Sequence, residues 1–344
     1  MRNINIILGL LFLLVSCQDE QQTDSKLFKQ TNSDKASENE MLDEIEKLLE
    51  ENPDDIDLWI EKGFICKENF DFSCALNAGA KAFLLDSTNL DARSLYAWTL
   101  INKPKPPLED IERAKKHYKY ILSVDQNPQI MVELANTYSL TGDFESSFKY
   151  LNDALRLDDQ IRDAYVMKGS NYRVLENFDL ALSSYQTAVQ IDPDYFMGHL
   201  QIGYLLTELG DDRLALEYYR TAADLDPESI EARYGVAKSL QDLGEYDDAQ
   251  MEYRGILTID STFYFSYFNQ GFIKQYLQEE PDSAVHYYNL SLELQPEHVK
   301  SWHNLGETYL SQGRKADAAR AFSEALRLNP DFEPTIKAKE KLRE

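Results

Sequence analysis

One stretch decides the fold: VKSWHNLGETYLSQGRKADAARAFSEALRLNPDF, residues 299–332. Small residues stand at two of its positions, since Gly306 is its eighth residue and Ala318 its twentieth. Such residues let two antiparallel helices approach closely, and Phe322 at position 24 fills the wedge against the next element. Pro330 at position 32 stops the second helix, because proline has no N–H to donate and its ring clashes with the preceding turn. The stretch therefore predicts a pair of antiparallel α-helices.

The same pattern recurs along the chain. Proline-ending tripeptides are separated by 34, 69 and 34 residues, and 69 is two periods plus one residue; they end at Pro193, Pro227, Pro296 and Pro330. With small insertions in the second and seventh copies, eight repeats result: 56–89, 90–127, 128–161, 162–195, 196–229, 230–263, 264–298 and 299–332. Position 8 is always small: Gly63, Ala97, Ala135, Gly169, Gly203, Ala237, Gly271 and Gly306. One repeat cannot bury its own apolar face, so stacked neighbours must supply the stability.

This pattern resembles the tetratricopeptide-repeat family, and the copy at 299–332 is nearest to it. The resemblance implies an all-α fold, a right-handed α-solenoid of about eight helix pairs over 56–332. Acidic residues 38–55 are expected to form an N-terminal capping helix, with Ile45 and Leu48 on its apolar face. Residues 333–344 are expected to form a C-terminal capping helix, with a proline in its first turn.

The resemblance also implies a binding surface. In this family the first helix of each repeat lines a concave groove, and positions 2, 5, 6, 9 and 12 tend to face it. Residues 263–276 hold seven aromatics, more than the single stripe that one helix buries. Exposed aromatics are typical binding anchors, although a larger core at this joint is the alternative. The predicted partner-binding residues are Tyr234, Lys238, Phe265, Phe268, Asn269, Phe272, Gln275, Tyr276, Lys300, His303 and Asn304.

Some family members grip a peptide carboxylate with a clamp of Lys, Asn and Arg side chains. Asn269 and Lys300 match that pattern, whereas Tyr234, Lys238 and Asn304 depart from it. Polar contacts from these positions are still expected.

The N-terminus carries features of an export signal. Residues 1–16 combine a positive Arg2 with an apolar stretch that is too short to span a membrane, which takes about 20 residues. The tetrapeptide Leu14-Val15-Ser16-Cys17 resembles the lipobox of bacterial lipoproteins. The resemblance implies cleavage before Cys17 and acylation of this residue, and we expect no cofactor besides that covalent lipid.

The residues after Cys17 bear on the destination of the protein. Residues 17–37 are polar and are expected to form a flexible tether. Gln18 favours the outer membrane, because it replaces the Asp typical of inner-membrane retention. The pair Asp19-Glu20 resembles an acidic tag for surface export, so periplasmic and surface locations both stay open.

Composition limits the kind of partner. Lys plus Arg is 35 and Asp plus Glu is 60, a net charge of −25. This charge repels nucleic acid and anionic membranes, so we expect no nucleic-acid partner and membrane contact only through the anchor. The three cysteines and five histidines have no zinc-site spacing. No nucleophile motif or phosphate loop occurs, so neither an enzyme nor a metal site is predicted.

Cys66 and Cys74 fall at positions 11 and 19 of the first repeat, on facing helices. An exported protein meets an oxidising compartment, where disulfides form. Facing helix axes lie about 8–10 Å apart, however, which strains a bridge unless the Cβ atoms converge. We therefore expect two buried packing residues, with a disulfide as the alternative.

These features predict a lipid-anchored scaffold or adaptor. It would bind a protein or peptide in its groove at the bacterial outer membrane, for assembly of envelope machines or for tethering. The alternative is a glycan- or cell-wall-binding surface lipoprotein, with Phe268 and Tyr276 stacked on sugars. A sugar site also needs amides and carboxylates beside its aromatics, and only Asn269 and Gln275 are near in sequence. The partner's identity and the oligomeric state are left undetermined.

Overall fold

The computed structural model describes residues 32–69, 71–103 and 105–342, with side chains from residue 40 onward. The predicted signal at 1–16, Cys17 and the tether as far as residue 31 lie outside the described residues. No β-strand occurs in the described ranges, and the helices there are joined by short turns. None of these helices is long and apolar enough to cross a membrane.

The chain divides into two compact units, and the N-terminal unit ends at Pro193. It contains a leading helix and the helix pairs of the first four repeats. Its helices are α1 (Asn32–Glu51), α2 (Ile56–Glu68), α3 (Phe72–Leu85), α4 (Leu90–Ile101), α5 (Leu108–Val124), α6 (Pro128–Leu140), α7 (Phe144–Leu157), α8 (Arg162–Val174) and α9 (Phe178–Ile191).

The C-terminal unit begins at Asp194 and contains the pairs of the last four repeats, followed by a final helix. Its helices are α10 (Phe196–Leu209), α11 (Asp212–Leu225), α12 (Ile230–Asp242), α13 (Tyr246–Ile259), α14 (Tyr264–Phe272, continued by a π-helical turn, Ile273–Leu277), α15 (Pro281–Leu294), α16 (Val299–Ser311), α17 (Lys315–Leu328) and α18 (Glu333–Lys341). Both units are all-α stacks of helix pairs, so the predicted solenoid class is confirmed.

The predicted small positions make the helix pairs possible. Position 20 is fully buried in every repeat, and its residues are Ala75, Ala114, Ser147, Ala181, Ala215, Ala249, Ala284 and Ala318. Position 24 is buried wherever it is aromatic: Tyr118, Tyr185, Tyr219, Tyr253, Tyr288 and Phe322. Four of these rings lie directly against the position-8 glycine of their own repeat: Tyr185, Tyr219, Tyr288 and Phe322. A Cβ built on Gly306, for example, would lie only 2.4 Å from Phe322 Cε1. Glycine therefore sets the distance between the paired helices.

The turns inside the pairs use left-handed backbone. Gly142, Gly210, Gly244 and Gly313 have φ between 74° and 85°, which glycine adopts without a Cβ penalty. Repeat four has Glu176 at the same place, with φ 57°. A non-glycine residue in this conformation is strained.

The leading helix differs from its prediction. α1 begins at Asn32, six residues before the predicted start at 38. The buried apolar residues are Ile45 and Leu49, whereas Leu48 is exposed. The prediction of Leu48 was wrong, because the face that α1 buries runs from Ile45 to Leu49 and leaves Leu48 at its edge in solvent.

Cys66 and Cys74 form a disulfide, so the expectation of two unbridged residues was wrong. Their Cα atoms lie 5.7 Å apart, within the ordinary range for bridged cysteines. Cys66 is near the end of α2 and Cys74 is in the first turn of α3. Helices converge beside the turn that joins them, so the average spacing of helix axes does not apply there.

The first helices of neighbouring pairs approach one another within each unit. In the N-terminal unit α2 meets α4, α4 meets α6 and α6 meets α8, and in the C-terminal unit α10 meets α12. Within the described residues, the second helices of neighbouring repeats do not come as close to one another as these first helices do. The helices α2, α4, α6 and α8 therefore lie on the inner, concave side of the N-terminal unit, and α10 and α12 lie on the corresponding side of the C-terminal unit. The closing helix α18 packs against α17 and also meets α16, as expected of a cap.

Candidate functional site

The eleven predicted groove residues all lie in the C-terminal unit, on first helices. Tyr234 and Lys238 are on α12, and Lys300, His303 and Asn304 are on α16. The remaining six are on α14 and its π-helical turn: Phe265, Phe268, Asn269, Phe272, Gln275 and Tyr276. A hydrogen bond from Asn269 Nδ2 to Tyr234 Oη, 3.2 Å long, joins α14 to α12 side by side.

Phe265 and Phe268 are half-buried and pack on one side against other aromatic rings of the fold. The Phe268 ring centroid lies 4.9 Å from His298 and 6.0 Å from Tyr288, and the ring packs against the buried cluster around Tyr288. Phe265 stacks on Tyr264 at 4.2 Å and lies 5.7 Å from His298. Both rings are partly buried. Tyr288 of α15 and His298 thus cover part of the Phe268 ring, and its role as a partner anchor stays a prediction.

The predicted amides are also used inside the fold. Asn269 is buried and donates to the Phe265 carbonyl at 2.9 Å as well as to Tyr234. Asn304 is buried and donates to the hydroxyl of Tyr288 at 3.3 Å. That hydroxyl in turn donates to Gln275 Oε1 at 2.8 Å. These groups hold neighbouring helices together, so they do not form a carboxylate clamp.

Of the remaining predicted polar residues, His303 and Lys238 contact other groups of the protein, and Lys300 is exposed. His303 Nδ1 lies 3.0 Å from Thr335 Oγ1, so His303 faces the capping helix α18. Burial lowers the pKa of His303. Lys238 forms an ion pair with Asp242 on its own helix. Lys300 is exposed at the start of α16.

Phe272 and Tyr276 form an aromatic pair in which Phe272 is half-buried and Tyr276 is exposed. Their ring centroids lie 4.9 Å apart. The Tyr276 side chain is 46% exposed, the largest exposed fraction of any aromatic residue in the described part of this unit. An aromatic ring that is positioned by a neighbour yet open to solvent is the kind of side chain that anchors a partner.

The backbone beneath this pair is unusual. The turn Ile273–Leu277 is π-helical, and the Ile273 carbonyl accepts from the amide of Gln278, five residues on, at 3.0 Å. This turn absorbs the one extra residue of the seventh repeat. Glu279, with φ 55°, then occupies the left-handed turn one position later than glycine does in other repeats. Such π-turns occur frequently at functional sites.

Glu307 adds a negative charge beside the pair. It is the ninth residue of its repeat, as Phe272 is of the preceding one. Burial raises the pKa of Tyr276, and the charge of Glu307 raises it further. Glu307 forms no ion pair within the described residues. It was not predicted, although the position-9 rule that selected Phe272 selects Glu307 as well.

Metal binding finds no support in this part of the chain. Within residues 32–342, apart from positions 70 and 104, no three His, Cys, Asp or Glu side chains cluster as a metal site would require.

Family models for the tetratricopeptide repeat match residues 128–161, 166–230 and 299–332. No curated protein matches the chain. Among solved structures, a chain of the APC/C hetero-tetramer Cut9–Hcn1 is 17% identical, with TM-score 0.54, covering 88% of this chain and 58% of that one. The human IFIT1 dimer is 18% identical, with TM-score 0.54 and coverage of 84% and 78%. MamA is 21% identical, with TM-score 0.45 and coverage of 50% and 95%. At these identities the likeness concerns the fold alone.

Proposed function

The chain is a tetratricopeptide-repeat protein, and from that premise we propose that it is an interaction scaffold that holds a protein or peptide partner on α14 and α16. The observation that carries the proposal is the contact between half-buried Phe272 and exposed Tyr276, with the charge of Glu307 beside them. Tetratricopeptide-repeat families are typically non-catalytic, so the role is binding rather than catalysis.

The surface favours a partner with an apolar side chain next to a basic one. The apolar group would pack on the rings of Phe272 and Tyr276, and the basic group would pair with Glu307. An aromatic ring also attracts a cation over its face, so both features favour Lys or Arg on the partner. Truncation of an aromatic anchor commonly costs about 2 kcal/mol of binding or more, which is roughly a 30-fold loss of affinity.

The test is a double substitution, Phe272→Ala with Tyr276→Ala, in a pull-down from cross-linked envelopes followed by titration of the partner it identifies. We expect capture to be lost while helicity by circular dichroism is kept. Tyr120→Ala is the matched control, because Tyr120 is an exposed tyrosine of the N-terminal unit. Normal capture by the folded double variant would mean that the partner uses another surface.

Phe268→Ala separates the site from the core. Because Phe268 packs against the cluster around Tyr288, its truncation should lower the melting temperature and should reduce binding only as far as the protein unfolds. A folded Phe268→Ala protein that no longer binds would instead support Phe268 as a contact residue.

We further propose export and acylation at Cys17, with anchoring at the outer membrane. The lipobox-like residues 14–17 motivate this proposal, and the Cys66–Cys74 disulfide supports it, because disulfides persist mainly in oxidising compartments. Metabolic labelling with a fatty-acid analogue should label the native chain and not Cys17→Ala. Label that persists in the variant would refute acylation at this residue. Fractionation of inner and outer membranes tests the destination.

A further inference from the structure

A cleft of about 620 Å³ opens between α15, α16 and α17 in the C-terminal unit. Its volume falls in the range of roughly 300–1,000 Å³ that is typical of small-molecule sites. Trp302, Leu305 and Tyr309 of α16 line it. Trp302 and Tyr309 are seven residues apart and so share one helical face. The groove residues His303 and Glu307 are on a different face of α16, so the cleft is a separate site.

The aromatic rings of the cleft are held in place by the fold, since Trp302 and Tyr309 are half-buried and pack on one side against the buried cluster around Tyr288. Trp302 Nε1 donates to the carbonyl of Pro296 at 2.8 Å, which fixes the indole. The guanidinium of Arg314 lies 4.2 Å from the ring centre of Tyr309. Rings that are positioned before a ligand arrives lose little conformational freedom on binding.

The charges at the rim neutralise one another. Asp317 pairs with both Arg314, at 2.7 Å, and Arg320. Glu324 pairs with Arg327 at 2.8 Å. A rim of paired charges offers no net attraction to an ion, yet it still presents donors and acceptors to a neutral polar molecule.

The cleft also offers one unused amide. Asn289 of α15 lines it, is exposed, and makes no hydrogen bond within the described residues. A side-chain amide both donates and accepts, as sugar hydroxyls do. Aromatic ring, amide and carboxylate, the combination that a sugar site requires, thus occur together here and not at Phe268.

The walls of the cleft limit how a ligand can form hydrogen bonds there. All three are α-helices, whose backbone N–H and C=O groups are used within the helices. A peptide strand could therefore not add main-chain hydrogen bonds, which supply much of the affinity in strand addition. A ligand here must bond with side chains alone.

We propose that the cleft between α15, α16 and α17 binds a neutral saccharide. One sugar ring stacks on Trp302, and its hydroxyl groups hydrogen-bond with Asn289 and with the Asp317–Arg320 pair. The site shares no residue with the Phe272–Tyr276 surface, so the protein can hold a glycan and a protein partner at separate places.

The test uses the folded chain with two neutral probes, tri-N-acetylchitotriose and maltotriose, at millimolar concentrations. The chain has three tryptophans, so the indole N–H signals in a nitrogen–proton NMR spectrum are few, and Trp302→Phe identifies that of Trp302. We expect at least one trisaccharide to shift the Trp302 signal saturably and to leave those of Trp59 and Trp98 in place.

The variant Asn289→Ala removes one hydrogen-bonding group at an exposed position and should weaken saccharide binding about five- to tenfold. Arg220→Ala, at an exposed arginine on α11, is the control and should bind normally. The proposal is overturned if neither trisaccharide shifts the Trp302 signal, or if Asn289→Ala binds as tightly as the native chain. Because partner capture through Tyr276 is measured separately, failure here does not affect the proposed scaffold.

Discussion

A single methyl group added at Gly203 should destabilise the C-terminal unit, whereas the same addition at Gly255 should stabilise it. A Cβ on Gly203 would lie 2.6 Å from Cε1 of Tyr219, 2.8 Å from its Cδ1 and 2.9 Å from its Cζ. Carbon atoms in ordinary contact are about 3.5–4.0 Å apart, so the ring would have to move by about 1 Å.

The ring has little room to move. Tyr219 is buried, and its hydroxyl lies 3.2 Å from Thr207 Oγ1. On its other side, a Cβ on Gly235 would lie 2.4 Å from Tyr219 Cδ1, so the backbone of the next pair is equally close. Overpacking of such a contact costs about 1–3 kcal/mol. For a unit of this size, Gly203→Ala should lower the melting temperature by about 3 to 10 °C.

Gly255 is the matched control within the same unit. It lies inside α13, and its added Cβ would meet only Arg233 Nη1, at 3.7 Å. Alanine is favoured over glycine in a helix interior by about 0.5–1 kcal/mol, so Gly255→Ala should raise the melting temperature by about 1 to 4 °C.

Melting followed by circular dichroism at 222 nm and by calorimetry measures both variants under the same conditions. The transition of the C-terminal unit is the relevant one, because repeat proteins need not melt in a single step. Equal shifts for the two variants, or no loss for Gly203→Ala, would refute the close contact between α10 and α11 and with it the assignment of position 8.

Three further outcomes are expected. Reducing the Cys66–Cys74 disulfide, or replacing both residues with serine, should destabilise the N-terminal unit by about 2–3 kcal/mol, because the unfolded chain gains conformational entropy. An unchanged melting curve on reduction would contradict the bridge. Burial, with the nearby charge of Lys300, lowers the pKa of His298 from 6.5 to about 4. Between these pH values the unfolded chain therefore takes up a proton that the folded chain does not. The free energy of unfolding should fall by about 3 kcal/mol in all as the pH drops from 6.5 to 4. His298→Gln should flatten that part of a denaturation series, and an unchanged pH profile would argue against a neutral buried His298. Glu176→Gly should raise the melting temperature of the N-terminal unit by about 1 to 4 °C, since glycine relieves the positive φ; a lowered melting temperature would count against strain at this turn.

The aromatic segment 263–276 marks the limit of the sequence pattern. Position rules indicated which residues are on first helices, Phe272 among them, and the density of aromatic residues in 263–276 drew attention to Tyr276. They could not tell that Phe268 is partly covered, because the covering rings, Tyr288 and His298, come from later parts of the chain. The spacing of 69 residues between Pro227 and Pro296 showed that one repeat has an extra residue. The backbone hydrogen bonds of the structure were needed to show that this residue is accommodated by a π-helical turn at the end of α14.

The 34-residue period by itself determined the helix pairs, the repeat boundaries and the buried small positions, because each pair is built from residues near in sequence. Gly306 and Phe322, sixteen positions apart, form such a local contact. Only the tertiary structure decided which surface residues stay free. Asn269 and Asn304 turned inward to satisfy tyrosine hydroxyls on other helices, and Cys66 met Cys74 because two helices converge at their turn. Whether a side chain is exposed depends on which neighbouring helices cover it, and the residue pattern of a single helix does not show this.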